Sequence, residues 1–226
     1  MAEQLGFNLP SRAAMGRDAF FVSPANAVAL AMIDGWHSWP GGKLLLSGPE
    51  GAGKTHLAHV WAAMSGARIL SASALTEDMV PALVDRPVAV EDVPAIAGQS
   101  AQEKALFHLH NLALADGQPI LFTGTGEPAR WPIALPDLKS RLQGTTAAML
   151  EAPDDQLLSA LLVKLLADRQ LTPKPNLIPY LLGRMDRSFA GAIALVERLD
   201  AASLAQKRPI TRALAAQVLD NPPEGA

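Results

Sequence analysis

As far as Leu150, short apolar runs alternate with longer stretches of helical character. Lys43 to Ser47 reads Lys-Leu-Leu-Leu-Ser and is followed by glycines. A run this short suits a strand buried on both faces of a parallel sheet. Ala67 to Ser71, Pro87 to Val93, Pro119 to Thr123 and Ala147 to Leu150 are of the same type. Between them, Ala25 to Trp36, Thr55 to Met64, Thr76 to Val84, Ser100 to Asp116 and Pro136 to Arg141 read as helices. Ser23-Pro24 supplies a start for the first. Strands alternating with helices predict a parallel sheet covered on both faces.

Pro153-Asp154-Asp155 changes the pattern. Beyond it the spacing predicts helices only, over Asp155 to Gln170, Asn176 to Arg184, Phe189 to Gln206 and Thr211 to Leu219. A small helical domain beside the α/β layer follows from this. The predicted organisation is a leader over 1–17, an α/β domain over 18–152, a helical domain over 153–221 and a tail over 222–226.

Composition narrows the class. The 226 residues are 49% hydrophobic, enough for a sizeable core. The net charge of −3 gives no global pull toward nucleic acid or anionic lipid. The absence of cysteine excludes disulfides and thiolate metal sites and fits a reducing compartment. No apolar stretch reaches the length of a membrane span, and the start, with Glu3, does not read as a signal peptide. The expectation is a soluble, cytoplasmic protein that does not engage a membrane.

The chemistry begins at Gly48-Pro49-Glu50-Gly51-Ala52-Gly53-Lys54-Thr55, which fits G-x-x-x-x-G-K-[ST]. Glycines let such a loop wrap phosphates with its backbone N–H groups. The helix that follows adds its positive end. Lys54 is the candidate for the β/γ oxygens and Thr55 for Mg²⁺. The loop follows an apolar strand and opens a helix, as the motif demands. Val88-Ala89-Val90-Glu91-Asp92 runs straight into two acids at the strand end that faces such a loop. Glu91 is the metal-side candidate and Asp92 the candidate base. A metal-side Asp is usual here, so the division between these two stays open.

From Phe20 to Leu57 the chain reads Phe-Phe-Val-Ser-Pro-Ala-Asn-Ala, then Lys-Leu-Leu-Leu-Ser-Gly-Pro-Glu-Gly-Ala-Gly-Lys-Thr-His-Leu. These residues resemble the DnaA-related AAA+ family, and most nearly its Hda-type regulators. The resemblance runs from the leader to about Leu219. It implies a P-loop AAA+ α/β fold with an all-helical lid, holding ADP or ATP with Mg²⁺. It sets Phe21, Val22 and Asn26 against the adenine and Thr123 at the end of the sensor 1 strand. The implied cofactor set adds Gly48, Gly51, Ala52, Gly53, Lys54, Thr55 and His56. Leu138-Lys139-Ser140-Arg141-Leu142 matches the box that carries the arginine finger, so Arg141 would act in trans on another subunit's nucleotide.

Departures from the family pattern refine this. Its sensor 2 arginine falls at Ala190, with Arg187 about one turn away, and Thr125 stands where an acid is common. Slow hydrolysis at best is the expectation. The chain ends at Ala226 without room for a helix-turn-helix domain, so sequence-specific DNA binding is not expected. Gln4-Leu5-Gly6-Phe7-Asn8-Leu9 resembles a sliding-clamp-binding peptide, with Gln4, Leu5, Phe7 and Leu9 as anchors. The implied function is regulation of replication initiation. Tethered to the clamp, the protein would promote hydrolysis of ATP held by a DnaA-like initiator. The alternative is an ATP-hydrolysing AAA+ remodeller or helicase loader. A small-molecule kinase is a third reading without an acceptor motif. Self-association stays open. His56 with His59, and His108 with His110, lack the further ligands a metal needs. Trp36, Trp39, Trp61 and Trp131 read as packing residues.

Overall fold

A computed structural model describes residues 22–220. The sheet has the order β2-β3-β4-β1-β5. Its strands are β1 Lys43–Gly48, β2 Arg68–Ser71, β3 Val88–Glu91, β4 Ile120–Thr125 and β5 Ala147–Met149. Every pairing is parallel. The register sets Leu46 beside Thr123 and Gly48 beside Thr125, while Ser71 lies beside Glu91. The carboxyl ends of β1, β3 and β4 therefore share one rim of the sheet.

Alternation along each strand divides the core. Leu45, Val88, Val90, Ile120 and Phe122 face one side. There they meet α3 Val80–Leu83, α4 Ser100–Ala115 and α5 Pro136–Gln143. Leu44, Leu46, Ala89 and Leu121 face the other side. They meet α1 Ala27–Asp34 and α2 Lys54–Ser65, where Trp39 and Trp61 stack at 5.0 Å. The chain then builds α6 Asp155–Asp168, α7 Leu177–Leu182, α8 Phe189–Gln206 and α9 Arg212–Asp220. Their leucine-rich faces form a separate apolar cluster from Leu157 to Val218. Among the described residues, no helix is long and apolar enough to cross a membrane.

Three expected elements differ from what forms. The helix expected over Thr76 to Val84 is a 3-10 turn, Glu77–Met79, followed by the short α3. Pro81 stands in the first turn of α3, where a missing N–H is tolerated but a helix from upstream would lose a bond. The strand expected to reach Val93 stops at Glu91, because Asp92 turns left-handed at φ 55 and a 3-10 turn with Pro94 follows. The helix over Asn176 to Arg184 shrinks to Leu177–Leu182.

One buried charge fixes where α5 begins. Glu103 lies on the stripe of α4 that also holds Leu106, His110 and Ala113, and is 1% exposed. Its Oε1 accepts the N–H groups of Gly98 at 2.7 Å and Ala134 at 3.0 Å. Its Oε2 accepts the N–H of Leu135, the residue capping α5, at 2.6 Å. Bonds to an ionised acceptor are the strong kind. Substituting Glu103→Ala would strand these donors. The expected loss is about 3 kcal/mol of folding free energy, measured by urea denaturation, with a smaller loss for Glu103→Gln.

Candidate phosphate-binding cleft

The turn between β1 and α2 wraps because its glycines take conformations closed to other residues. Gly51 has φ 73 and Gly53 φ 94. Gly53 caps α2 without a side-chain bond, so the first-turn N–H groups of that helix face the loop. The Lys54 ammonium folds onto the loop itself, donating to the carbonyls of Gly48 at 3.0 Å and Pro49 at 2.7 Å. Burial lowers the Lys54 pKa, and the charges of Asp92 and Glu50 oppose that shift.

The lid closes over this turn. A Cβ on Gly51 would sit 2.4 Å from that of Ser188, and one on Gly53 would sit 3.0 Å from the Phe189 ring. The Phe189 N–H points to the Gly51 carbonyl at 3.4 Å. The Phe189 ring meets His56 edge-on at 6.0 Å between centroids. Ser188 caps α8 by accepting the Gly191 N–H at 2.8 Å and donates to Asp186 at 2.7 Å. The N-terminus of α8 is thereby seated on the glycine turn.

Between the rim and the lid lies a cavity of about 720 Å³. Its walls include Gly51, Gly53, Lys54, Thr55, His56, Glu91, Asp92 and Thr123 from the α/β layer, and Leu165, Arg169, Phe189, Ala190, Ile193 and Glu197 from the lid. Asp92 is held in its left-handed conformation while its N–H donates to the Thr123 hydroxyl at 3.1 Å. Such a backbone in a non-glycine residue is costly and concentrates at functional sites. The Glu91 Oε1 is buried without a hydrogen-bond partner. A buried carboxylate oxygen left bare suits a cation. Among the described residues, no cluster of three or more His, Asp or Glu could hold a metal by itself. Thr55 and Glu91 could hold Mg²⁺ together with phosphate oxygens, the usual manner for that ion.

Other expected residues fall elsewhere. Ala52 is buried beneath the loop, and neither it nor Gly48 lines the cavity. Val22 is 59% exposed and also does not line it. Asn26 is buried at the start of α1, where its Oδ1 accepts the Ser23 N–H at 2.9 Å. Phe21, Gln4, Leu5, Phe7 and Leu9 lie outside the described residues. Arg141 is exposed on the last turn of α5 and lines no part of this cavity. Its carbonyl accepts from Lys43 Nζ at 3.2 Å. Arg187 pairs with Asp155 at 2.5 Å and is likewise absent from the walls. The sequence reading missed Phe189, Arg169 and Glu197, for which no motif stands in the chain. It also missed Glu103, which its place on an apolar stripe could have betrayed.

Comparison with known proteins agrees with this geometry. Residues 154–219 match the family described as Hda, lid domain. Domain III of the Thermotoga maritima replication initiation protein DnaA superposes with a TM-score of 0.79 at 18% identity, covering 92% of this chain and 96% of that one. The chain shares the fold of that domain, and its helical part matches an Hda-type lid. AMPPCP-bound DnaA from Aquifex aeolicus is similar to this chain at 18% identity and a TM-score of 0.69, over 88% of this chain and 68% of that one. The Thermotoga maritima RuvB Holliday junction branch migration motor has a TM-score of 0.67 at 19% identity, over 91% of this chain and 71% of that one.

Two histidines tie stability to pH. Burial, and secondarily the charge of His59, lowers the His56 pKa from 6.5. Burial is also the largest cause lowering His110 from 6.5, opposed by its bond to Asn111 and aided by Lys43 and Arg141. Below about pH 6.5 the unfolded chain takes these protons first, so their contribution is complete above that pH and lost as pH falls. Urea unfolding free energy should decline as pH falls below about 6.5, and the double variant His56→Gln, His110→Gln should flatten that slope. An unchanged slope would refute the assignment.

Proposed function

We propose that the chain is an adenine-nucleotide-dependent regulator that promotes ATP hydrolysis in a DnaA-like initiator, rather than a motor driven by its own turnover. The observation that carries this reading is the separation of Arg141 from its own cleft. Lys54, Thr55, Glu91 and Asp92 gather around one cavity, whereas the arginine matching the family's finger stands exposed outside it. An arginine so placed can stabilise charge only on a nucleotide held by another subunit.

Within the cleft, the loop N–H groups and Lys54 bind the β/γ oxygens. Mg²⁺, when bound, neutralises charge on those oxygens. Thr55 and Glu91 would hold it, and Asp92 would orient a water and accept its proton. With Ala190 on the lid wall in place of a cation, turnover of the chain's own nucleotide is slow. The leader peptide with Gln4, Leu5, Phe7 and Leu9 brings the protein to the sliding clamp, supported by its likeness to clamp-binding peptides. A remodeller driven by its own ATP hydrolysis is the second reading, favoured by the intact pair Glu91 and Asp92.

Purified protein should bind ADP or ATP with Mg²⁺, and Lys54→Ala should weaken this at least tenfold. Arg141→Ala should bind nucleotide as the parent does. It should lose stimulation of initiator-bound ATP hydrolysis on clamp-loaded DNA by on the order of 10³-fold. Deleting residues 4–10 should abolish clamp pull-down. If Arg141→Ala still stimulates the initiator fully, the regulator reading fails. Rapid intrinsic hydrolysis lost in Asp92→Asn would support the second.

A further inference from the structure

Arg141 ends its helix beside another cation. Its carbonyl, in the last turn of α5, accepts from Lys43 Nζ at 3.2 Å and from the Thr145 hydroxyl at 2.8 Å. Carbonyls of a last turn lack partners within the helix, and a cation suits that end of the dipole. Lys43 opens β1, and Gly48, where the phosphate loop begins, ends it. Strand geometry holds these two residues about 17 Å apart. The contact with Lys43 therefore sets the end of α5 at the opposite end of β1 from the cleft.

The guanidinium of Arg141 is uncommitted. Asp137 stands four residues earlier on α5, the spacing at which helical ion pairs form. Among the described residues, however, Arg141 pairs with no carboxylate. Its charge acts at the start of β1 instead. Burial lowers the Lys43 pKa, and the charge of Arg141 lowers it further. His110, on α4, lies 3.5 Å from Lys43 Nζ through its Nε2 and turns its Nδ1 to Asn111 at 3.1 Å. It brings no negative charge to the group. Like charges so placed push apart.

We propose that Lys43 is a positioning residue for Arg141: it ties the backbone of Arg141 to β1 while its ammonium repels the guanidinium, which is thereby kept unpaired and projecting toward a nucleotide held by another subunit. This rests on the reading of Arg141 as a group that acts in trans. A carboxylate at position 43 would do the reverse and capture the guanidinium. The arginine would then have to break an ion pair before it could reach a phosphate.

Two measurements on the full chain test this, and the first needs no partner. Phenylglyoxal attacks the neutral form of a guanidine, which a nearby cation favours and a carboxylate disfavours. Reaction at Arg141, followed by peptide mass, should slow about fivefold in Lys43→Glu and stay near the parent rate in Lys43→Arg. The second is stimulation of initiator-bound ATP hydrolysis. Its maximal rate should fall about fivefold in Lys43→Glu, less in Lys43→Gln, and recover in Lys43→Arg. The protein concentration giving half the effect should not change. Thr145→Val removes the other side-chain bond to the same carbonyl and leaves the charges in place, so both readouts should match the parent. If Thr145→Val lowers them as Lys43→Glu does, Lys43 is only a helix anchor and the proposal fails. If Arg141→Ala loses stimulation while Lys43→Glu behaves as the parent in both assays, Lys43 has no positioning role and the regulator reading stands. If Arg141→Ala keeps full stimulation, the regulator reading falls and this proposal falls with it.

Discussion

The two halves of the protein meet where two glycines leave no space for a side chain. Gly51 and Gly53 hold left-handed backbone angles, and Ser188 and Phe189 occupy the volume a Cβ would need. The same backbone must present N–H groups toward the cavity and form the seat of α8. Loop shape and lid position are therefore one constraint. Ser188 and Gly191 keep the start of α8 tight, since a Cβ on Gly191 would lie 2.7 Å from the Asp186 carbonyl. An error of an ångström in this contact would propagate to every lid residue on the cavity wall.

Electrostatics follow from that closure. Removing water from a cleft strengthens each charge inside it. Lys54 accordingly satisfies itself on the carbonyls of its own loop, and Glu91 leaves an oxygen bare. Both arrangements are complementary to a ligand that brings oxygens and a cation together.

Most of the α/β layer was legible in the sequence because its signals are local. A short apolar run before glycines marked β1, and two acids after Val90 marked the rim end of β3. The helices after Pro153 were legible through their leucine spacing, and α8 falls where its period places it, at Phe189–Gln206. What escaped were contacts between segments distant in the chain. Nothing near Arg169 tells that α6 ends against the same cavity as Lys54. The early end of β3 depended on the backbone of Asp92, an angle no periodicity reports. Pro81 shortened an element whose apolar spacing alone read as longer.

The left-handed turn at Asp92 carries an evolutionary consequence. Glycine adopts this conformation without penalty, and asparagine tolerates it better than most residues. A library screened only for heat resistance would thus drift toward glycine at this position, gaining robustness by discarding a carboxylate. Retention of an acid there against that drift would itself be a signature of selection for chemistry.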